Sequence, residues 1–323
     1  MTERLQVSAF YQETQSRLNL KLRNNPRGLS RDITQKEIHR PGLALAGFIE
    51  LFTFDRIQVL GNTEMRYLHS LSDEERRNSV SRVFQFEIPC LIITNDNALP
   101  IELAQAADGA GVAIFSSPLT TTEATHLLSD YLDQKFAPKI TIHGSLVDVY
   151  GTGLIFTGRS GIGKSEVSLD LVERGHRLVS DDMVTLTRTA ENVLIGHGSE
   201  YLKHYMEIRG IGIIDVGRMF GVRAVRQQKR VETEVELVDW RGDVDYERVG
   251  LDEQYKEYLG VKIPHVVLPI FPGKNITVIA EAIALNLHLK VYGFHPAREF
   301  SRALTEVMEN KSKLQSYLEK DFE

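Results

Sequence analysis

The stretch Gly158-Arg159-Ser160-Gly161-Ile162-Gly163-Lys164-Ser165-Glu166 decides how this chain is read. The apolar run Leu154-Ile155-Phe156 precedes it and Val167-Ser168-Leu169-Asp170-Leu171-Val172 follows, so a strand, a glycine-rich turn and a helix come in that order. Gly158, Gly163, Lys164 and Ser165 fit the pattern G-x-x-x-x-G-K-[ST]. At average glycine usage a chance match arises in roughly one chain in a hundred of this length, and the strand-before, helix-after setting makes coincidence rarer. Glycines let the backbone approach a phosphate and turn its N–H groups inward, the helix presents its positive end, and Lys164 adds a full charge between β and γ oxygens. Ser165 offers a hydroxyl to Mg²⁺. Gly158 to Ser165 is therefore a candidate phosphate cradle; the alternative is a turn that merely joins strand to helix.

Such a cradle needs an acid for the metal and a group that handles the acceptor. Arg177-Leu178-Val179-Ser180 reads as a strand running into Asp181-Asp182, before a second apolar strand at Met183-Val184-Thr185-Leu186. The two carboxylates can divide the work, one near the metal and one near the acceptor proton, or form a solvated turn. In Met206-Glu207-Ile208-Arg209-Gly210-Ile211-Gly212-Ile213-Ile214-Asp215, a strand plus loop puts Glu207 and Arg209 on one face and isoleucines on the other. That face can meet metal and phosphate; an exposed ion pair on an edge strand would look the same. The HRD and DFG motifs of eukaryotic-type protein kinases are missing, as is the guanine-reading NKxD tetrapeptide.

The rest of the chain sets the frame. Its 323 residues suffice for about two domains, and a net charge of -6 argues against a general nucleic-acid binder. One cysteine, Cys90, forms no internal disulfide, the first ten residues lack the pattern of a signal peptide, and no apolar run approaches the roughly 20 residues of a membrane span. A cytoplasmic protein without nucleic-acid or membrane partners is expected. The pattern changes near Lys135-Phe136-Ala137-Pro138, predicting an α/β domain over residues 1–135 and a P-loop domain over 136–323. In the first, apolar bursts at 56–60, 89–93 and 111–115 alternate with helical segments near 71–83, 100–107 and 122–132, the pattern of a largely parallel sheet. Asn95-Asp96-Asn97 reads as a turn, and no catalytic motif is visible there.

The run from His143 to Glu166, the Asp181-Asp182 pair, Met206 to Asp215, Asp245-Tyr246-Glu247-Arg248-Val249-Gly250 and Leu268 to Asn275 together resemble the HPr kinase/phosphorylase family, in order and in spacing. The N-terminal half is similar to that family's extra domain in length and pattern. The resemblance implies an N-terminal α/β domain followed by a carboxykinase-like P-loop domain. It also implies a bifunctional enzyme that phosphorylates a serine of the phosphocarrier protein HPr, or an HPr-like protein, from ATP or pyrophosphate. The reverse reaction is phosphorolysis by inorganic phosphate. By position, Gly158, Arg159, Ser160, Gly161, Ile162, Gly163, Lys164 and Ser165 would bind nucleotide, and Ser165 and Glu207 would hold Mg²⁺. Asp182 would move the serine proton, and His143 and Arg248 would complete the catalytic set with Lys164. Pro269 to Lys274 would serve dephosphorylation.

The family also implies a homohexamer and a C-terminal helix that meets HPr. Pro296 to Glu319 carries Phe300, Leu304, Val307, Met308, Leu314 and Leu318 at largely helical spacing, and core packing is expected of most of them. Arg159 stands where the family usually has an acid, and Phe271 and Lys274 stand where it usually has arginines. A small-molecule or carboxykinase-like P-loop kinase, and a nucleotide-sensing protein without turnover, are the other readings.

Overall fold

The computed structural model describes residues 4–189, 191–199, 204–241, 253–271 and 273–320, with backbone alone at 310 and 312–320. The chain divides into two compact units, Met1–Ala137 and Pro138–Glu323.

In the first unit, Ile38–His39, Ile57–Leu60, Cys90–Ile93 and Ala113–Ser116 lie side by side and parallel, and Lys21–Leu22 adds an antiparallel edge. Every residue of Ile57–Leu60 and Cys90–Ile93 is buried, because helices cover both faces of the sheet. One layer packs Met65, Leu68, Val80, Val83 and Leu103 against Leu91 and Ile93. The other packs Val7, Phe10, Leu128 and Leu132 against Cys90 and Ile92. Capping boxes start two of these helices: Ser72 with Glu75, and Thr120 with Glu123. Asn95 and Asp96 adopt positive φ in the turn after Ile93. Burial pushes the Cys90 thiol well above its usual range, which leaves it unreactive.

The second unit is built on a six-stranded sheet in the order Arg177–Ser180, Ser145–Val149, Thr152–Thr157, Thr233–Asp239, Val261–Ile270, Gln254–Tyr258. Thr152–Thr157, Thr233–Asp239 and Val261–Ile270 run parallel. Alternation along Thr152–Thr157 serves two layers at once. Leu154 and Phe156 meet the helices Lys164–Glu173 and Ile276–Val291 through Val167, Leu171, Ala280 and Ala284. Ile155 points the other way, into a layer with Leu146, Val184, Leu186 and Leu194. Val184, Leu186 and Leu194 of that layer belong to a second, four-stranded sheet ordered Gln228–Arg230, Leu194–His197, Met183–Arg188, Lys139–His143. A side chain at Gly153 would collide with the carbonyl of Arg230, so only glycine allows this approach.

The C-terminal helix Pro296–Lys320 departs from expectation. Phe300 is 63% exposed and Met308 64%, with Leu304 and Val307 near half, so the core packing expected of these residues is not made in this chain. The side chains of Leu314 and Leu318 lie outside the described residues. Among the described residues no single helix is long and apolar enough to cross a membrane; Ile276–Val291 and Pro296–Glu309 pass that test only as a pair bent by 77°.

One polar cluster ties the end of the P-loop helix to the helix behind it. Glu281 accepts two hydrogen bonds from Arg174, at 2.8 and 2.5 Å, and faces His176 Nε2 at 3.1 Å. Arg174 first, then His176, hold the Glu281 carboxyl down at about 2 against the opposing pull of burial. A carboxyl depressed in the folded state stabilises the fold above its unfolded value and loses that contribution as pH falls through the folded one. Stability measured by urea unfolding should therefore drop between pH 4.5 and about 2, and Glu281→Gln should flatten that part of the profile.

Candidate active site

Strand geometry delivers the glycine-rich loop. Thr152–Thr157 ends against Gly158, whose φ of 133° and contact with the Leu237 carbonyl leave no room for a side chain. Gly163, at φ 106°, caps the helix Lys164–Glu173. Lys164 is 6% exposed and folds back so that Nζ donates to the carbonyls of Gly158 and Arg159, both at 3.2 Å. Burial lowers its pKa, and the negative charges of Asp181, Asp182 and Glu166 oppose that shift. A buried ammonium bonded only to carbonyls is ready to exchange them for phosphate oxygens. Arg159 turns away from this cradle: Nε and Nη2 donate to the two carboxylate oxygens of Asp239 at 2.6 and 2.7 Å.

The adjacent carboxylates have separate surroundings. Asp181 accepts from Ser165 Oγ at 2.8 Å through one oxygen and from Ser145 Oγ through the other. Burial raises its pKa, the two donated hydrogen bonds lower it, and neighbouring Asp182 raises it again. Asp182 is exposed, with φ at 66°, and Met183 N donates across it to Asp181 O at 2.8 Å. That is a γ-turn in its rare, strained form. The turn aims the Asp182 carboxylate at His143, whose Nδ1 lies 3.0 Å from both Asp182 Oδ1 and Asp182 O. Two oxygen acceptors around Nδ1 assign a ring proton to that nitrogen.

The Met206 to Asp215 segment is a hairpin of Tyr205–Ile208 with Gly212–Asp215, where a strand plus loop was expected. Met206, Ile208 and Ile214 are buried under it, while Ile213 is 76% exposed and pairs across from Glu207. The isoleucines thus do not share one face, and Glu207 stands on the open side; among the described residues it makes no ion pair. Arg209 leaves that face and lays its guanidinium over Gly161, within 3 Å of where a Cβ would sit. Arg248, Tyr246 and Pro272 lie outside the described residues.

Residues that sequence reasoning passed over complete the floor. Ser145 sits in a fully buried strand, and only the fold brings it to Asp181. Thr157, the last residue before the loop, donates to Glu234 Oε1 at 2.6 Å. His265 lies 3.5 Å from the other oxygen of Glu234 and 3.3 Å from Glu236. Burial and these two carboxylates push the Tyr258 phenol well above its usual range. The alternation Glu232, Glu234, Glu236 with Val235 and Leu237 was a legible signal for a polar strand face; its partners were not.

The arrangement is a candidate phosphate cradle beside a carboxylate–imidazole pair, joined through Asp181: an acceptor proton and a phosphoryl group can be handled side by side. Residues 134–304 match the family model described as HPr serine kinase C-terminal domain, and residues 5–132 match the one for its N terminus. An HPr kinase/phosphorylase of Chloroherpeton thalassium is 49% identical over 98% of this chain and 96% of its own. One from Prosthecochloris aestuarii is 48% identical over the same shares. The solved HPr(Ser) kinase/phosphatase of Coxiella burnetii is 35% identical, covering 50% of this chain and 98% of its own with a TM-score of 0.45.

Since the Ser145 and Ser165 hydroxyls both stabilise ionised Asp181, Ser145→Ala should raise the Asp181 pKa further, and Ser165→Ala should do the same. Carboxyl-carbon NMR titration reads this directly; an unmoved Asp181 would sever the link between the two serines.

Proposed function

This chain belongs to the HPr serine kinase family, and on that premise we propose that it transfers phosphate from a nucleotide to a serine of the phosphocarrier protein HPr and removes it again by phosphorolysis. The observation that carries the reading is the meeting of Lys164, Asp181, Asp182 and His143 beside the glycine-rich loop. In the forward direction the HPr serine oxygen attacks the γ-phosphorus of ATP, its proton passes to Asp182, and ADP leaves. In reverse, an oxygen of inorganic phosphate attacks the phosphorus of phosphoserine, pyrophosphate forms, and the departing serine oxygen takes the proton back. A cradle that grips a β-phosphate also grips free phosphate, so one site serves both directions and pyrophosphate can replace ATP as donor.

Ser165 Oγ and the Asp181 carboxylate are hard oxygens 2.8 Å apart beside the cradle, a donor set that fits Mg²⁺, with Glu207 as a further candidate from the hairpin. Mg²⁺ bound there would neutralise charge on the transferring phosphate. His143 steers Asp182 through its Nδ1 proton, and Lys164 holds the phosphates. We assign Arg248 to the same set on its family position. Residues 136–323 are the catalytic part, acting in a cytoplasmic homohexamer whose exposed Phe300, Leu304, Val307 and Met308 suit protein docking. Similarity over the full chain to proteins named HPr kinase/phosphorylase speaks against a small-molecule kinase.

Incubation with HPr, Mg²⁺ and γ-labelled ATP tests the whole reading: label should appear on an HPr serine, and label in a small acceptor, or bound nucleotide without turnover, refutes it. Lys164→Ala should abolish both directions with the fold intact. Asp182→Asn should lower transfer about 10²–10⁴-fold and spare nucleotide binding; if Asp181→Asn instead loses proton transfer while keeping metal binding, the two roles are reversed. Lys274 presents a point charge, donating to Pro269 O at 3.2 Å, and cannot grip two phosphate oxygens. Lys274→Arg should lower the phosphate concentration needed for HPr dephosphorylation without changing kinase rate.

A further inference from the structure

Three neighbouring parallel strands, Thr152–Thr157, Thr233–Asp239 and Val261–Ile270, end on the same edge of the sheet. The residues that leave them are Gly158, Trp240 and Phe271. Open α/β sheets bind ligands beyond the carboxyl ends of their strands. Neighbouring strands are about 4.8 Å apart, so the indole and the phenyl ring start roughly one and two strand spacings from the head of the phosphate loop. Trp240 N donates to Ile270 O at 3.2 Å, which holds the two strand ends together.

Both rings are large, apolar and open to solvent. Trp240 is 50% exposed and Phe271 41%, and they meet edge to face with centroids 5.5 Å apart at 65°. Half-exposed aromatic surface beside a polyphosphate cradle calls for a partner that is flat and apolar on its faces yet tethered to phosphate. Two of the nearby cations are engaged: Arg159 is clamped on Asp239, and Lys274 Nζ bonds Pro269 O while lying over one face of the Phe271 ring, 5.3 Å from its centroid. A purine fits these two strand ends: it stacks on an aromatic face without needing a charged group.

We propose that Trp240 and Phe271 form the nucleobase subsite of the donor, with Gly158 to Ser165 holding its phosphates and the Arg159–Asp239 pair spanning the ribose-length gap between them. The proposal rests on the nucleotide-donor reading above and adds where the base goes. It makes the ring pair a selector: it favours nucleoside triphosphates and contributes nothing to a donor without a base. Replacement of Arg by Phe at 271, relative to the family's usual residue, then trades a phosphate contact for a base contact.

Calorimetric titration of the full chain with ATP, and separately with inorganic tripolyphosphate, tests this. Phe271→Ala and Trp240→Ala should each weaken ATP roughly ten-fold, the scale of one lost stacking contact, and leave tripolyphosphate unchanged. Phe271→Leu, which keeps apolar bulk, serves if the alanine variant melts early; it should lose ATP affinity in the same selective way. Equal losses for both ligands, or no loss for either, overturn the subsite and reduce the rings to a packing contact. The result is separable from the function itself: pyrophosphate-driven HPr phosphorylation that survives in wild type and fails in Lys164→Ala leaves the cradle standing whatever the rings do. A wild-type chain that binds tripolyphosphate and not ATP removes the base subsite and the nucleotide donor together.

Discussion

One half-buried carboxylate holds the candidate site in shape. Asp181 joins Ser165, in the first turn of the P-loop helix, to Ser145, in the strand beside the P-loop strand. It also fixes the start of the turn that displays Asp182. Burial works against its charge and two hydroxyl donors work for it. That balance makes Asp181 a hinge between electrostatics and geometry: losing either hydroxyl alters the carboxylate and loosens the contact between helix and sheet. The strain at Asp182 is held by the same framework, because the strand pairing of His143 with Met183 leaves the two residues before Met183 only a tight reversal.

Local signals were the easiest to read. The apolar run, the glycine loop and the helix from Lys164 are consecutive, and each depends on residues within a few positions of itself. The alternating strands and helices of the N-terminal half are legible for the same reason. The Asp181-Asp182 pair stood out, yet its division of labour did not, since Asp181 meets Ser145 across 36 positions of sequence. The hairpin at Tyr205–Ile208 was half legible. Its residues were singled out, but period-two reasoning from one strand could not show that Gly210 and Gly212 fold it back and place Ile213 beside Glu207.

The Thr157, Glu234 and His265 cluster was hidden for a similar cause. Glutamates alternating with Val235 and Leu237 hint at a polar strand face, but the partner of Glu234 follows from its parallel register with His265, which no local pattern encodes. At the C-terminus the helical period was right and the destination was not. Phe300, Leu304, Val307 and Met308 form a stripe as spacing requires, and the chain covers none of them well. Periodicity reports that a face is apolar, not what meets it.

The strand that carries the phosphate loop is third of six, hydrogen-bonded on both sides and covered on both faces by separate layers. Edge strands and termini can detach while the rest of a domain stays folded; an interior strand with two lids cannot. The loop therefore grows from the part of this unit least given to fraying, and its glycine conformations are settled before any ligand arrives. Association on such a surface loses little to ordering of the receptor, so selectivity among ligands falls to what each offers in contacts, not to how well each can organise the protein around itself.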